Sequence, residues 1–257
     1  MRLRRLKNIG NTCYVNSSLQ LFFDMDFLCE LLKEGSENSV LHDVVHSIGS
    51  LINPVHLKNE IAKTNPRFRG MNQQDSFEFL IYLLEYVSIT IPVSDHVSFS
   101  IGRKTKCPCG RINLQQSWMD SYLILPINNN CRHINDCISL YFHDSEPCSL
   151  CSEITTTHTI DSKRYLIVVL KRYSNSIQKN NAKIEVPEEL AVCSQTFSLR
   201  GFIHHYGFIT CGHYIYIRKI KNKWFIFNDE NIEEITHDER LREYKDSGYV
   251  YLFELQH

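Results

Sequence analysis

The sequence contains no apolar run near the roughly 20 residues that a membrane-spanning helix needs, and stretches such as Tyr165 to Leu170 stop after a few positions. It lacks a charge imbalance too. With 28 Lys plus Arg against 29 Asp plus Glu, the formal charge is −1, so no long-range field draws the chain to a nucleic acid or a membrane surface. Nor is there an export signal. The basic opening Met1-Arg2-Leu3-Arg4-Arg5-Leu6-Lys7 runs into the polar Asn8-Ile9-Gly10-Asn11-Thr12, where a secretory leader needs about 7–15 apolar residues. Cysteine is too sparse for a disulfide scaffold: 10 in 257 residues is about 4%, against roughly 8–10% in such chains. No internal repeat or low-complexity tract occurs. What remains is a soluble protein of the cytosol or nucleus, with reduced thiols and a metal site open to the clustered ones.

The residues that are present divide by texture. Val15, Leu19, Phe22 and Phe23 recur at helical spacing over Cys13 to Phe23, which predicts one apolar stripe against a core. Asn72-Gln73-Gln74-Asp75 offers capping side chains ahead of Phe77, Leu80, Ile81, Leu84 and Val87, a second amphipathic helix. Between them, Leu41 to Ile61 reads as helix in pieces broken at Asn53-Pro54, and Asn65 to Gly70 as a loop. From Val97 onward β-branched and aromatic runs take over, at Tyr122 to Leu125, Tyr165 to Leu170, Tyr214 to Ile217, Trp224 to Phe227 and Tyr249 to Leu255. Asn128 to Asn130 and Asn175 to Asn181 read as polar loops. Helices first and sheet afterwards predict an α+β domain, with a groove where the two parts meet.

Two positions in this arrangement carry chemistry. Cys13 falls at a helix start, where unpaired N–H groups and the positive dipole end favour thiolate over thiol; Asn8 and Asn11 place amide donors beside it. The same cysteine also reads as a small buried hydrophobe. Far downstream, Gly207-Phe208-Ile209-Thr210-Cys211-Gly212-His213-Tyr214 opens a strand that turns at Lys221-Asn222-Lys223 and returns to Phe227-Asn228-Asp229. Residues equally distant from a hairpin turn face each other, so His213 is expected near Asn228 to Glu230, a base beside its orienter.

Five stretches, in order, resemble the ubiquitin-specific proteases. They are Leu6 through Gln20 around Cys13; Gln73-Gln74-Asp75 through Glu78-Phe79-Leu80; Leu166 through Tyr173; Lys183-Ile184-Glu185-Val186-Pro187; and Gly212-His213-Tyr214 with Trp224 through Asp229. The resemblance implies a papain-like cysteine protease fold of one domain: a mainly helical thumb over 1–96, a fingers-like region over 97–165 and a palm sheet over 166–257. It implies Cys13 as nucleophile, His213 as base, Asn228 as orienter supported by Asp229, and Asn8 as side-chain oxyanion donor. Gln74, Asp75 and Tyr214 become the residues expected along the extended, basic tail of ubiquitin, with a helix cap as the second reading of Asp75. The reaction implied is cleavage after ubiquitin's C-terminal glycine through a thioester on Cys13, with ubiquitin and ubiquitinated proteins as partners and the chain acting as a monomer. A protease for another ubiquitin-like modifier and a catalytically silent ubiquitin-binding protein are the alternatives.

The chain departs from the family at its cysteine pairs. Cys148-Ser149-Leu150-Cys151 keeps the usual Cys-x-x-Cys spacing, but the first pair is Cys107-Pro108-Cys109. The four are expected either to hold one structural zinc or to be a decayed site, and Cys131 and Cys137 stand between them as substitute ligands. No cofactor is expected for catalysis.

Overall fold

The computed structural model describes residues 3–35, 39–47, 51–142, 147–175, 178–208 and 211–256. Outside them lie Ile209 and Thr210 of the stretch leading to His213, Ser176 and Ile177 of the second polar loop, and residues 48–50 between the two helical pieces. The helical third runs β1 (Arg5–Leu6), α1 (Cys13–Asp24), α2 (Asp26–Gly35), α3 (Ser39–His46), β2 (Leu51–Ile52) and α4 (Val55–Thr64), then a 3-10 turn at Pro66–Phe68, α5 (Ser76–Ser88) and the short α6 (Ser94–Val97). Strands follow: β3 (Phe99–Lys106), β4 (Asn113–Asp120), β5 (Leu123–Leu125), then α7 (Ile134–Phe142), β6 (Thr155–Ser162), β7 (Tyr165–Leu170), β8 (Tyr173–Asn175) and β9 (Gln178–Lys179). The last part holds β10 (Glu189–Val192), β11 (Gln195–Gly207), β12 (Gly212–Ile220), β13 (Lys223–Asn228), β14 (Asn231–Ile235), α8 (Asp238–Asp246) and β15 (Gly248–Leu255).

These elements form the expected α+β architecture. An eight-stranded palm sheet runs β14-β13-β12-β11-β15-β7-β5, with β10 paired to β11. Its ladders are antiparallel except β5 on β7. A separate three-stranded ribbon, β4-β3-β6, projects as the fingers. β5 lies between the ribbon's strands in sequence yet edges the palm sheet. Each face of the palm has its own core. One packs against the thumb helices through Tyr214, Tyr216 and Phe227; the other, through Ile215, Ile217 and Ile226, packs against α7 and partly against α8.

The helix carrying Cys13 differs from the expected one-sided amphipathic helix: every residue of α1 is buried. It is wedged between α5 and strands β11 to β13, so its polar side chains must find internal partners. They do. The Ser18 hydroxyl reaches the Ser76 carbonyl at 2.7 Å, and Gln20 Nε2 donates to the Arg4 carbonyl at 2.7 Å. Asp24, fully buried, accepts from the Tyr216 hydroxyl at 2.6 Å and pairs with Arg218 Nε at 2.8 Å and Arg200 Nη2 at 3.2 Å. This cluster pins the far end of α1 to β11 and β12.

A second buried ion secures the palm. Arg172, 1% exposed, donates to the carbonyls of Gly248, Asn180, Ala182 and Asp246 at 2.6 to 3.1 Å. Its fork closes the segment after β7 onto the start of β15. A guanidinium with four of its five N–H groups directed at carbonyls is a buried charge made tolerable by hydrogen bonding.

Candidate active site

Cys13 is the first residue of α1, and the preceding Thr12 makes no side-chain cap, so the helix's first N–H groups stay available. Upstream, the chain makes a tight turn through Gly10 (φ 103°) and Asn11 (φ 51°), both in the left-handed region. Asn8 holds that turn: its Oδ1 accepts from the Gly10 N–H at 3.0 Å and the Thr12 hydroxyl at 3.2 Å. Its Nδ2 donates across the cleft to Asp229 Oδ2 at 2.8 Å.

From the palm, β12 delivers His213. Pairing of β12 with β13 is regular from Ile220 and Lys223 to Tyr216 and Phe227, and just beyond it His213 Nε2 lies 2.7 Å from Asn228 Oδ1. With Nε2 engaged, Nδ1 is the nitrogen left for the Cys13 sulfur, to which the ring is hydrogen-bonded. That bond pushes His213 up to about 9 against the opposing effect of burial, and Asn228 and the Asp229 charge add to it.

Regular alternation would send Asn228 and Asp229 to opposite faces. It does not apply. β13 ends at Asn228, and Asp229 takes a left-handed conformation (φ 52°) in the turn to β14, which swings its carboxylate back to 3.7 Å from His213 Nε2. Asn228 is the direct partner and Asp229 the charge behind it.

Two residues that sequence reasoning passed over complete the seam. Asn16, one turn along α1 from Cys13, donates Nδ2 to Asp229 Oδ1 at 2.7 Å; an amide in the middle of a buried helix was the available signal. Gln73 latches the other side: its Nε2 donates to the Gly212 carbonyl at 2.6 Å, and its Oε1 accepts the Gly212 N–H at 3.1 Å. Gly212 has to be glycine, because a Cβ there would stand 2.0 Å from the His205 ring. His205 is itself fixed by Tyr173, whose hydroxyl lies 2.7 Å from Nδ1, and burial lowers it to about 3.

The residues expected along a substrate tail are placed differently from one another. Asp75 caps α5, accepting from the Phe77 and Glu78 N–H groups at 2.8 and 2.9 Å, and also takes the hydroxyls of Tyr249 at 3.1 Å and Tyr214 at 3.4 Å. Burial raises its pKa. With Tyr214 buried against it, this carboxylate serves as the cap of α5 and the anchor of two tyrosine hydroxyls. Gln74 keeps a more open position, its Nε2 donating to the Arg67 carbonyl at 3.1 Å.

Remote from this centre, Cys107, Cys109, Cys148 and Cys151 bring four sulfurs within 4.8 Å of one another. Sulfurs 3.3 and 3.6 Å apart across Cys107–Cys109 and Cys109–Cys148 compare with about 3.8 Å for four thiolates around one tetrahedral zinc. N–H groups of Cys151 and Leu150 lower Cys148 to about 6, while, against the Arg111 N–H, the neighbouring Cys107 and Cys151 thiols push Cys109 up to about 12, so negative charge in the cluster gathers on Cys148. The donor set fits zinc. Cys131 and Cys137 are not part of it: Cys137 is buried on α7, and the Cys131 thiol donates to Asn128 Oδ1 at 3.2 Å.

A thiol at a bare helix start, bonded to an imidazole that an amide holds from behind, is the constellation of a papain-like thiol hydrolase. The chain belongs to the ubiquitin carboxyl-terminal hydrolase family, whose model matches residues 4–253. Among its relatives, ubiquitin carboxyl-terminal hydrolase 11 of Schizosaccharomyces pombe is 27% identical over 99% of this chain and 85% of its own length. Ubiquitin carboxyl-terminal hydrolase Usp2 of Drosophila melanogaster is 24% identical over 97% of this chain, which spans only 34% of the fly protein. In fold, the chain is similar to a solved structure of the SAGA Ubp8/Sgf11/Sus1/Sgf73 DUB module bound to ubiquitin aldehyde. The TM-score is 0.78 at 21% identity, over 99% of this chain and 70% of the matched one.

The raised His213 pKa has a direct readout. Titration of its ring by NMR is expected to give a midpoint near 9, shifted down in Asn228→Ala and in Cys13→Ala, each of which removes a bond favouring the imidazolium. The sign for stability follows: the contribution is fully present below the unfolded value of about 6.5 and lost as pH rises through about 9. A midpoint at or below 6.5 contradicts the pairing.

Proposed function

We propose that this chain is a deubiquitinating thiol protease that hydrolyses the isopeptide or peptide bond after ubiquitin's C-terminal glycine. The observation that carries the reading is the single line of contacts from Cys13 through His213 to Asn228, inside a fold and family of ubiquitin hydrolases. The Cys13 sulfur attacks the glycine carbonyl carbon, and the carbonyl π pair moves onto oxygen. Asn8 Nδ2, which carries a second hydrogen beyond the one given to Asp229, and the uncapped N–H groups of α1 receive that oxyanion. Collapse breaks the C–N bond, and His213 hands its proton to the departing amine. Water, deprotonated by His213, then cleaves the thioester and regenerates Cys13. Asn228 keeps the imidazole in register throughout, and Asp229 balances its charge. In the fingers, Cys107, Cys109, Cys148 and Cys151 hold a structural zinc, which supports the ribbon and takes no part in chemistry because four protein ligands leave no open position. β4 beside it exposes Leu114, Trp118 and Met119, apolar surface suited to a protein substrate.

Reaction with a ubiquitin electrophile probe, followed by intact mass, is expected to add one ubiquitin to the wild-type chain and none to Cys13→Ala, which should still bind ubiquitin. Labelling by a different modifier's probe and not by ubiquitin's redirects the reading. Gln73→Ala should lower kcat on the order of tenfold or more with KM little changed, since the lost latch misorients His213 rather than the substrate; unchanged kcat rejects that role. Elemental analysis of protein purified without chelator should find near one zinc per chain, lost in Cys148→Ser, and metal-free active protein argues against the site.

A further inference from the structure

The opposite face of the palm sheet carries a cavity that the reaction described above leaves unused. It is 630 Å³, within the roughly 300–1,000 Å³ of ligand sites, and lies where α8 crosses the ends of β11 to β14. Its floor is apolar, from Ile215 and Ile226, and its walls include the aromatic rings of Tyr206 and Tyr244. What makes it more than a packing gap is that it is continuous with the reacting groups. Asn228 lines it while holding His213 at 2.7 Å. The ring of Tyr206 sits 5.4 Å from the ring of His213 and is 44% exposed.

We infer that this cavity is the subsite for the leaving-group side of the substrate: the polypeptide segment around the lysine, or around the amino group, that ubiquitin is removed from. The inference rests on the proposed hydrolysis and adds where the second half of the substrate goes. The acid that protonates a departing amine has to stand on the leaving-group side of the carbonyl carbon. Here that acid is His213, so the departing chain leaves past the flank of its ring, where the half-exposed Tyr206 stands. The cavity continues from Tyr206.

The cavity's chemistry fits an extended peptide segment. An aliphatic or aromatic side chain finds Ile215 and Ile226 below and the rings of Tyr206 and Tyr244 beside it. Asn228 gives its Oδ1 to His213, and its Nδ2 donates to no protein group among the described residues, leaving it to meet a substrate carbonyl. The wall is preorganised: Tyr244 packs on the buried ring of His204 at 5.1 Å, and Arg240 lies over Tyr244 while bonding Glu233 on β14. The charges lining the cavity, Glu233 and Glu243 against Arg240, leave no basic surface to favour an anion.

Two substrates separate this subsite from the chemistry: ubiquitin carrying a coumarin amide, whose leaving group is small, and ubiquitin joined by an isopeptide bond to the central lysine of a twelve-residue peptide. Asn231→Trp, at an exposed position on the rim, fills the cavity; Tyr244→Ala opens its wall. Both are expected to lower kcat/KM for the peptide conjugate on the order of tenfold while changing the coumarin substrate less than twofold. An equal fall on both substrates, or no change on either in Asn231→Trp, overturns the subsite. If the wild-type chain turns over neither substrate, the hydrolase reading itself fails, and the subsite falls with it.

Discussion

Everything the site can do depends on two distant parts of the chain meeting in register across one seam. Cys13 comes from the start of the thumb and His213 from the palm, and no covalent feature sets the distance between them. The Asp229 carboxylate does much of that work. It takes the Nδ2 groups of Asn8 and Asn16 on its two oxygens, while its backbone carbonyl accepts the Leu6 N–H at 3.1 Å. Three thumb residues thus converge on one palm turn. Because neutral amides fill its lone pairs, the carboxylate stays tolerable when largely buried and keeps its charge directed at the imidazole.

The seam is held at three places, and each joins a different depth of the cleft. Asp229 ties the entrance of α1, Gln73 ties the loop before α5 to Gly212, and Asp24 ties the end of α1 to Arg200, Arg218 and Tyr216. Hydrophobic contact alone would leave α1 able to slide or roll against the sheet, since apolar packing is non-directional. Directional polar links at both ends of the helix remove that freedom. A nucleophile misplaced by an ångström loses much of its reactivity, so the polar residues inside α1 serve register more than stability.

Much of this was legible in the sequence, and the exceptions share a cause. Tyr165 to Leu170 matches its strand at both ends, because a strand buried on both faces needs a continuous apolar run, whereas Tyr214 to Ile217 marks only the middle of Gly212–Ile220. The longest strand, Gln195–Gly207, was missed although it is central to the palm. It carries Arg200, His204 and His205 among its apolar residues, and partners such as Asp24 for Arg200 and Tyr173 for His205 come from distant parts of the chain that a local pattern does not contain. The fingers strands β3, β4 and β6 escaped for the opposite reason: much of their surface faces solvent, and no strong alternation marks them. At the site, Cys13, His213 and Asn228 are named by their motifs, and the structure brings them together. Asn16 and Gln73 stood inside the same motifs without a role, because their partners are fixed only by the closed seam.

The turn between β13 and β14 brings both of its first side chains to the histidine, which no local sequence pattern states. A regular strand offers one residue per face, and would force a choice between an amide and a carboxylate behind the histidine. Ending the strand at Asn228 and turning Asp229 into the left-handed region removes the choice. Asn228 then provides the short, directional contact at 2.7 Å that fixes the tautomer, and Asp229 at 3.7 Å provides charge without competing for the same hydrogen. An aspartate bonded directly would also hold the ring, but it would have to give up one of the amides that bind thumb to palm. Dividing orientation from charge lets one turn align the base and close the cleft together.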